Sequence, residues 1–148
     1  MPKIGEIHFC VISARRATTP AGIRDVFAVQ AQLVAAGASP TWYVDEASLK
    51  DYQALGLQAV CGGKLTPARN KALDDAVKQK KICVQISDDI AAWEYRHGDR
   101  AADRSDEAAN AAHAAAECFV LSPVAAAQFM VSKMRASPSS PRPKLAGT

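Results

Sequence analysis

Residues 64–90 read KLTPARNKALDDAVKQKKICVQISDDI, and the order of residue types in this stretch decides the fold. Thr66 followed by Pro67 is a preferred helix start: the hydroxyl can accept from a first-turn amide, and proline's fixed φ suits the first helical position. Ala68, Ala72, Leu73, Ala76 and Val77 then recur at the spacing of one helical face. Residues 82–86 (ICVQI) form a short apolar run of the kind a buried parallel strand requires. Asp88 and Asp89 follow where that strand should end. Ligands of open α/β sheets gather at the carboxyl ends of strands, so these carboxylates stand where a divalent cation and a polyphosphate could meet.

Towards the N-terminus the same alternation repeats. Residues 7–13 (IHFCVIS) make a β-rich apolar run. Pro20 opens a helical segment whose face carries Ile23, Val26, Phe27, Leu33 and Val34, with Gly37 as its cap and Pro40 as a further stop. Residues 41–44 (TWYV) are a second strand, with Asp45 and Glu46 just past its end. Ser48 is placed to cap a short helix, LKDYQAL, ended by Gly56, and residues 57–61 (LQAVC) form a third strand closed by Gly62 and Gly63. Strand and helix thus alternate four times, which predicts an α/β domain with a three-layer, mainly parallel sheet.

The second half is less regular. Residues 91–104 are polar and charged, with no sustained period, and are expected to be irregular. Ser105, with Asp106 and Glu107, starts an alanine-rich helix, and residues 118–121 (CFVL) suit a short strand. Ser122 and Pro123 open a helix to residue 135, with Val124, Ala127, Phe129, Met130 and Met134 as its buried candidates. One domain over residues 1–135 is expected, followed by a proline- and serine-rich mobile tail at 136–148.

Composition sets mild limits. A chain of 148 residues, 49% hydrophobic and 22% charged, has the size and balance of a single globular domain. The formal charge of +3 is small, and Arg135, Arg142 and Lys144 supply much of the excess, so a nucleic-acid partner is not forced. Cys10, Cys61, Cys83 and Cys118 form no C-x-x-C pair and have no histidines at metal spacing; buried, reduced thiols are expected. No stretch has the length of a membrane span, which makes the cytoplasm the expected location. Phosphate-loop, dinucleotide-fingerprint and serine-elbow patterns are absent.

Three constellations can carry chemistry. Ser87-Asp88-Asp89 offers hard oxygen ligands for magnesium or manganese, which bind jointly to one or two carboxylates and substrate phosphates. The same residues equally suit a polar exit from a strand. Arg69 and Asn70 lie at a helix start, favourable for anions, and an exposed arginine there is also ordinary. Gly62 and Gly63 before it would let backbone approach a ligand. Ser13, Ala14, Arg15 and Arg16 after the first strand, with Asp45 after the second, are expected on the same rim as Asp89. His8 is expected to be a satisfied core residue, while His97 and His113 lack partners at catalytic spacing. Trp42 and Trp93 are expected to pack.

The strings LTPARNKAL, VQISDDI, SPVAAAQFMVSKMR and KLAG resemble the phage-type glycosyltransferases that accompany TET/JBP-class base oxygenases and are thought to glycosylate hydroxymethylated DNA bases. More broadly, the chain is similar to GT-A glycosyltransferases, which use a nucleotide-diphosphate sugar and a divalent metal. The resemblance runs from Ile7 onward and implies a Rossmann-like GT-A fold. It implies Asp89 as ligand to Mg2+ or Mn2+, with Asp88 near the sugar or ribose and Arg69 beside the diphosphate-sugar. Ser13 and Arg15 would border the nucleotide, and Asp45 the uracil or its equivalent. DNA carrying a modified base is the implied acceptor. Ser87 stands where many relatives place the first aspartate of D-x-D. Domains of this type also continue past the helix corresponding to residues 123–135, adding acceptor contacts and the catalytic base. The expectation is therefore a donor half-site with the base unassigned. The competing expectations are a non-catalytic remnant that binds nucleotide or self-associates through an exposed sheet edge, and a module for another phosphate ligand.

Overall fold

A computed structural model describes residues 1–97 and 105–136. Strands β1 (Ile7–Ile12), β2 (Thr41–Val44), β3 (Ala59–Cys61) and β4 (Ile82–Ser87) pair in the order β3-β2-β1-β4. Every pairing is parallel, with Val11 opposite both Trp42 and Ile86. Helix α1 (Pro20–Ala35) links β1 to β2, α2 (Leu49–Ala54) links β2 to β3, and α3 (Leu65–Lys78) links β3 to β4.

Because side chains alternate along a strand, each strand feeds two cores. Phe9, Val11, Trp42, Val44, Ala59 and Ile86 meet Val26, Val29 and Leu33 of α1 and Tyr52 of α2 on one face. Cys10 and Tyr43 meet Ala68 and Ala72 of α3 on the other. The chain steps outward from β1 to β3, then α3 carries it back to β4 on the far side of β1. Right-handed crossovers put helices on opposite faces when that direction reverses. The expected α/β three-layer arrangement is thus present, and its switch point lies between β1 and β4.

Local differences from the sequence expectation have packing causes. Helix α3 begins at Leu65 with Lys64 as the cap residue, so Thr66 and Pro67 sit in the first turn and no side chain caps it. Its buried stripe is Ala68, Ala72 and Ala76, while Leu73 is exposed. Small residues are needed because a Cβ on Gly62 would lie 2.9 Å from the Ala68 Cα. Gly63, at φ 83°, turns the chain into the helix. Gly62 thus serves helix packing, while Gly63 also lines a cleft at the carboxyl ends of the strands. β3 starts at Ala59, two residues later than the hydrophobic run suggests.

Residues 93–97 form strand β5 (Trp93–His97), which pairs antiparallel with β6 (Glu117–Leu121) in a separate sheet. This corrects the irregular assignment there; the signal was the alternation of Trp93, Tyr95 and His97 between charged residues. The rest of that stretch, 98–104, and the tail from 137 lie outside the described residues. Helix α4 (Asp106–Ala115) buries nothing, whereas α5 (Pro123–Ala136) buries Val124, Ala127 and Val131. Met130 and Met134 are exposed, against expectation, because that stripe turns them outward. Phe129 is half-buried against Tyr95, with ring centroids 5.2 Å apart. Cys10 is buried and Cys83 half-buried, but Cys61 and Cys118 are exposed at a strand end and on the small sheet. Trp42 packs as expected, its Nε1 donating to Gln30 at 2.8 Å. β4 is an edge strand, pairing only with β1 among the described residues. No helix among them is long and apolar enough to cross a membrane.

His8 is buried beneath α3, its Nε2 2.8 Å from the Tyr43 hydroxyl, which donates at 2.9 Å to Asp75. Burial lowers its pKa from the ordinary 6.5, with Asp75 opposing. The unfolded chain then binds the extra proton first, so His8's neutral state contributes stability that is intact above pH 6.5 and is lost as pH falls towards the folded value. Urea unfolding should show a midpoint that falls across that acidic window in wild type and falls less in His8→Gln. Equal slopes would refute this assignment.

Candidate functional site

A cleft of about 960 Å³ opens at the switch point, on the carboxyl side of β1 and β4. Ser13, Arg15, Asp45, Arg69 and Asp88 all line it, together with Arg16 and Lys64. A smaller cavity, about 330 Å³, lies at the amino ends of the strands and contains none of them. Four different chain segments, far apart in sequence, thus converge because parallel strands deliver their following loops to one edge.

The loop after β1 is held by a chain of hydrogen bonds. The Arg16 backbone N–H donates to the Tyr52 hydroxyl at 3.2 Å, and Tyr52 and Ser13 hydroxyls are 2.5 Å apart. Ser13 donates in turn to Asp88 Oδ2 at 2.5 Å. Burial raises the Tyr52 pKa, so its proton stays in place to donate to Ser13. Arg15 adopts φ 58°, in the left-handed region that side chains disfavour, and its amide donates to Ser48 Oγ at 3.0 Å. Such strain costs of order 1–3 kcal/mol and persists only where surrounding contacts fix it. Gly22 completes the support: a Cβ there would stand 2.2 Å from the Arg16 carbonyl oxygen. The loop and the first turn of α1 are therefore in backbone contact.

Arg16 is the centre of charge. Its Nε lies 3.1 Å from Asp88 Oδ2, its Nη1 3.2 Å from Asp25 Oδ2, and its Nη2 3.9 Å from Asp89 Oδ2. Asp88 is buried, whereas the Asp89 side chain is 55% exposed and accepts from Ser87 Oγ at 2.7 Å. Asp89 stands beside the cleft instead of lining it. The sequence placed both Arg15 and Arg16 on the rim and the resemblance implied Arg15; it is Arg16 that makes the ionic contacts. Which arginine turns inward depends on the left-handed conformation of Arg15 itself, and no periodicity reports that. Tyr52 and Asp25 were also missed; each lies on a helix with no local mark of its partner.

The remaining polar groups are less committed. One carboxylate oxygen of Asp45 is shielded from solvent and has no protein hydrogen-bond partner. Arg15, Lys64 and Arg69 are exposed on the cleft wall and make no ion pair among the described residues. The Arg69 carbonyl accepts from Gln85 Nε2 at 2.9 Å, which fixes the start of α3 against β4. The cleft lining thus carries three cationic side chains without an ion pair among the described residues, beside the single unpaired carboxylate of Asp45.

Asp88 and Asp89 are the residues that could meet a divalent cation. Adjacent carboxylates of Asp88 and Asp89 suit magnesium or manganese, which complete their shells with phosphate oxygens and water. No group of three or more acidic, histidine or cysteine residues gathers among the described residues, so no self-sufficient metal cage exists there. Comparison with known proteins found no matching protein-family model, no matching curated protein and no matching solved structure.

Proposed function

We propose that the cleft binds a nucleotide-diphosphate sugar with Mg2+ or Mn2+, and that the chain is the donor-binding part of a GT-A-type glycosyltransferase. The observation that carries this reading is the orphaned Asp45 oxygen just past the end of β2, on the wall of a cleft that Arg15, Lys64 and Arg69 also line. A buried acceptor without a partner costs about 1–3 kcal/mol, and a uracil N–H or ribose hydroxyl would satisfy it. Arg15, Lys64 and Arg69 would take the diphosphate, arginine doing so through two parallel hydrogen bonds. Asp89, steadied by Ser87, would hold the cation, and Asp88 would share it on the side nearer the sugar or ribose. The bound cation would offset charge on the departing diphosphate. The chain's own part is to orient the donor at the sheet edge.

Asp45→Ala tests the nucleoside contact. UDP affinity by calorimetry should fall by about tenfold, equivalent to 1.4 kcal/mol, while thermal stability without ligand holds or rises because an unsatisfied acceptor has been removed. Unchanged UDP affinity would sink this placement. A second reading, a nucleotide-binding module without transfer, is favoured by one observation: Arg16 already neutralises Asp88. Nucleotide binding that is indifferent to divalent cations would select it.

A further inference from the structure

Arg16 stands where a cation shared by Asp88 and Asp89 would be held, with Nε 3.1 Å from one carboxylate and Nη2 3.9 Å from the other. Its remaining nitrogen, Nη1, is 3.2 Å from Asp25 on α1. We propose that Arg16 is an internal counter-cation that keeps a divalent ion out of this site until a diphosphate arrives. The inference rests on the reading of the cleft as a diphosphate site and goes beyond it by making metal binding conditional.

The charges dictate the order. A divalent ion reaching Asp88 and Asp89 alone must displace a guanidinium that has nearby only Asp25 to turn to, and the two cations repel at close range. A diphosphate changes both conditions. It gives the guanidinium a bidentate acceptor and brings further oxygens to the metal. Asp25 keeps hold of Nη1, so the arginine transfers its charge to the ligand without losing every protein partner. The Gly22 contact and the Tyr52 hydrogen bond hold the Arg16 backbone while its side chain changes partners.

The test follows free Mn2+ by electron paramagnetic resonance during titration of the full chain, first alone and then with UDP. Wild type should bind Mn2+ weakly alone and about tenfold tighter or more with UDP. Arg16→Gln should bind Mn2+ alone about tenfold tighter than wild type and gain less from UDP. Arg24→Gln, the same charge change at an exposed position on α1, should leave Mn2+ affinity near wild type. If wild type shows the UDP-dependent gain but Arg16→Gln binds Mn2+ alone no tighter, the gating role is overturned and the donor-site reading stands. If neither protein binds Mn2+ even with UDP, both fall. Should Arg16→Gln fail to fold by circular dichroism, Arg16→Met decides. It removes the charge and keeps the aliphatic stem, and should bind Mn2+ alone more tightly than wild type; unchanged affinity overturns the proposal.

Discussion

Gly22→Ala is expected to destabilise the protein and to disorganise the cleft together. A Cβ at this position would lie 2.2 Å from the Arg16 carbonyl oxygen and 2.9 Å from two further Arg16 backbone atoms. No rotamer change can relieve a clash with backbone, so either α1 or the loop after β1 must move. Overpacking of this kind costs about 1–3 kcal/mol. For a domain of this size that lowers Tm by about 2–4 °C per kcal/mol. Displacing the loop moves Arg16 off Asp88 and weakens the Tyr52–Ser13–Asp88 chain, so UDP affinity should fall as well. Gly5→Ala is the control, since an added Cβ there meets nothing within 4 Å. Differential scanning calorimetry and UDP titration on the two variants check this. A Gly22→Ala protein with wild-type Tm and wild-type affinity would show that the loop is not held as described.

Asp89→Ala is expected to separate ligand binding from folding. The side chain is 55% exposed, with Ser87 as its hydrogen-bond partner and a long 3.9 Å contact to Arg16. Surface changes of this sort usually alter stability by within about 0.5 kcal/mol. The proposed cation has only Asp88 and Asp89 as protein ligands, so losing one should abolish the metal-dependent part of nucleotide-sugar binding, about a hundredfold in affinity. Binding that survives without Mn2+ should be unaffected. Chemical denaturation beside calorimetry with and without Mn2+ measures both quantities. Loss of fold, or an intact metal effect, would remove Asp89 from its assigned place.

Much of the fold was legible because its signals are local and repeated. Apolar strands alternating with helical segments from Ile7 to Ser87 mark a parallel sheet at the level of local pattern. The common rim of Ser13, Asp45, Arg69 and Asp88 followed from that alone, since successive strands run the same way. What sequence could not report depends on contacts between elements. β5 is written in charged residues, and its aromatic alternation becomes decisive only against Phe119 and Phe129. Leu73, Met130 and Met134 look like core residues by composition, but alanine and valine stripes beside them take the buried positions. The choice of Arg16 over Arg15 hangs on one positive φ and one glycine contact. The same contact brings Asp25 within reach of a loop nine residues earlier.

The central claim is that a diphosphate and a divalent cation meet at the carboxyl ends of β1 and β4. Titrating the wild-type protein with UDP-sugars by calorimetry, with Mn2+ and with chelator, tests it most directly. Saturable binding that tightens at least about tenfold with Mn2+ is the predicted result. Absence of binding to any UDP-sugar in the presence of Mn2+ would contradict it.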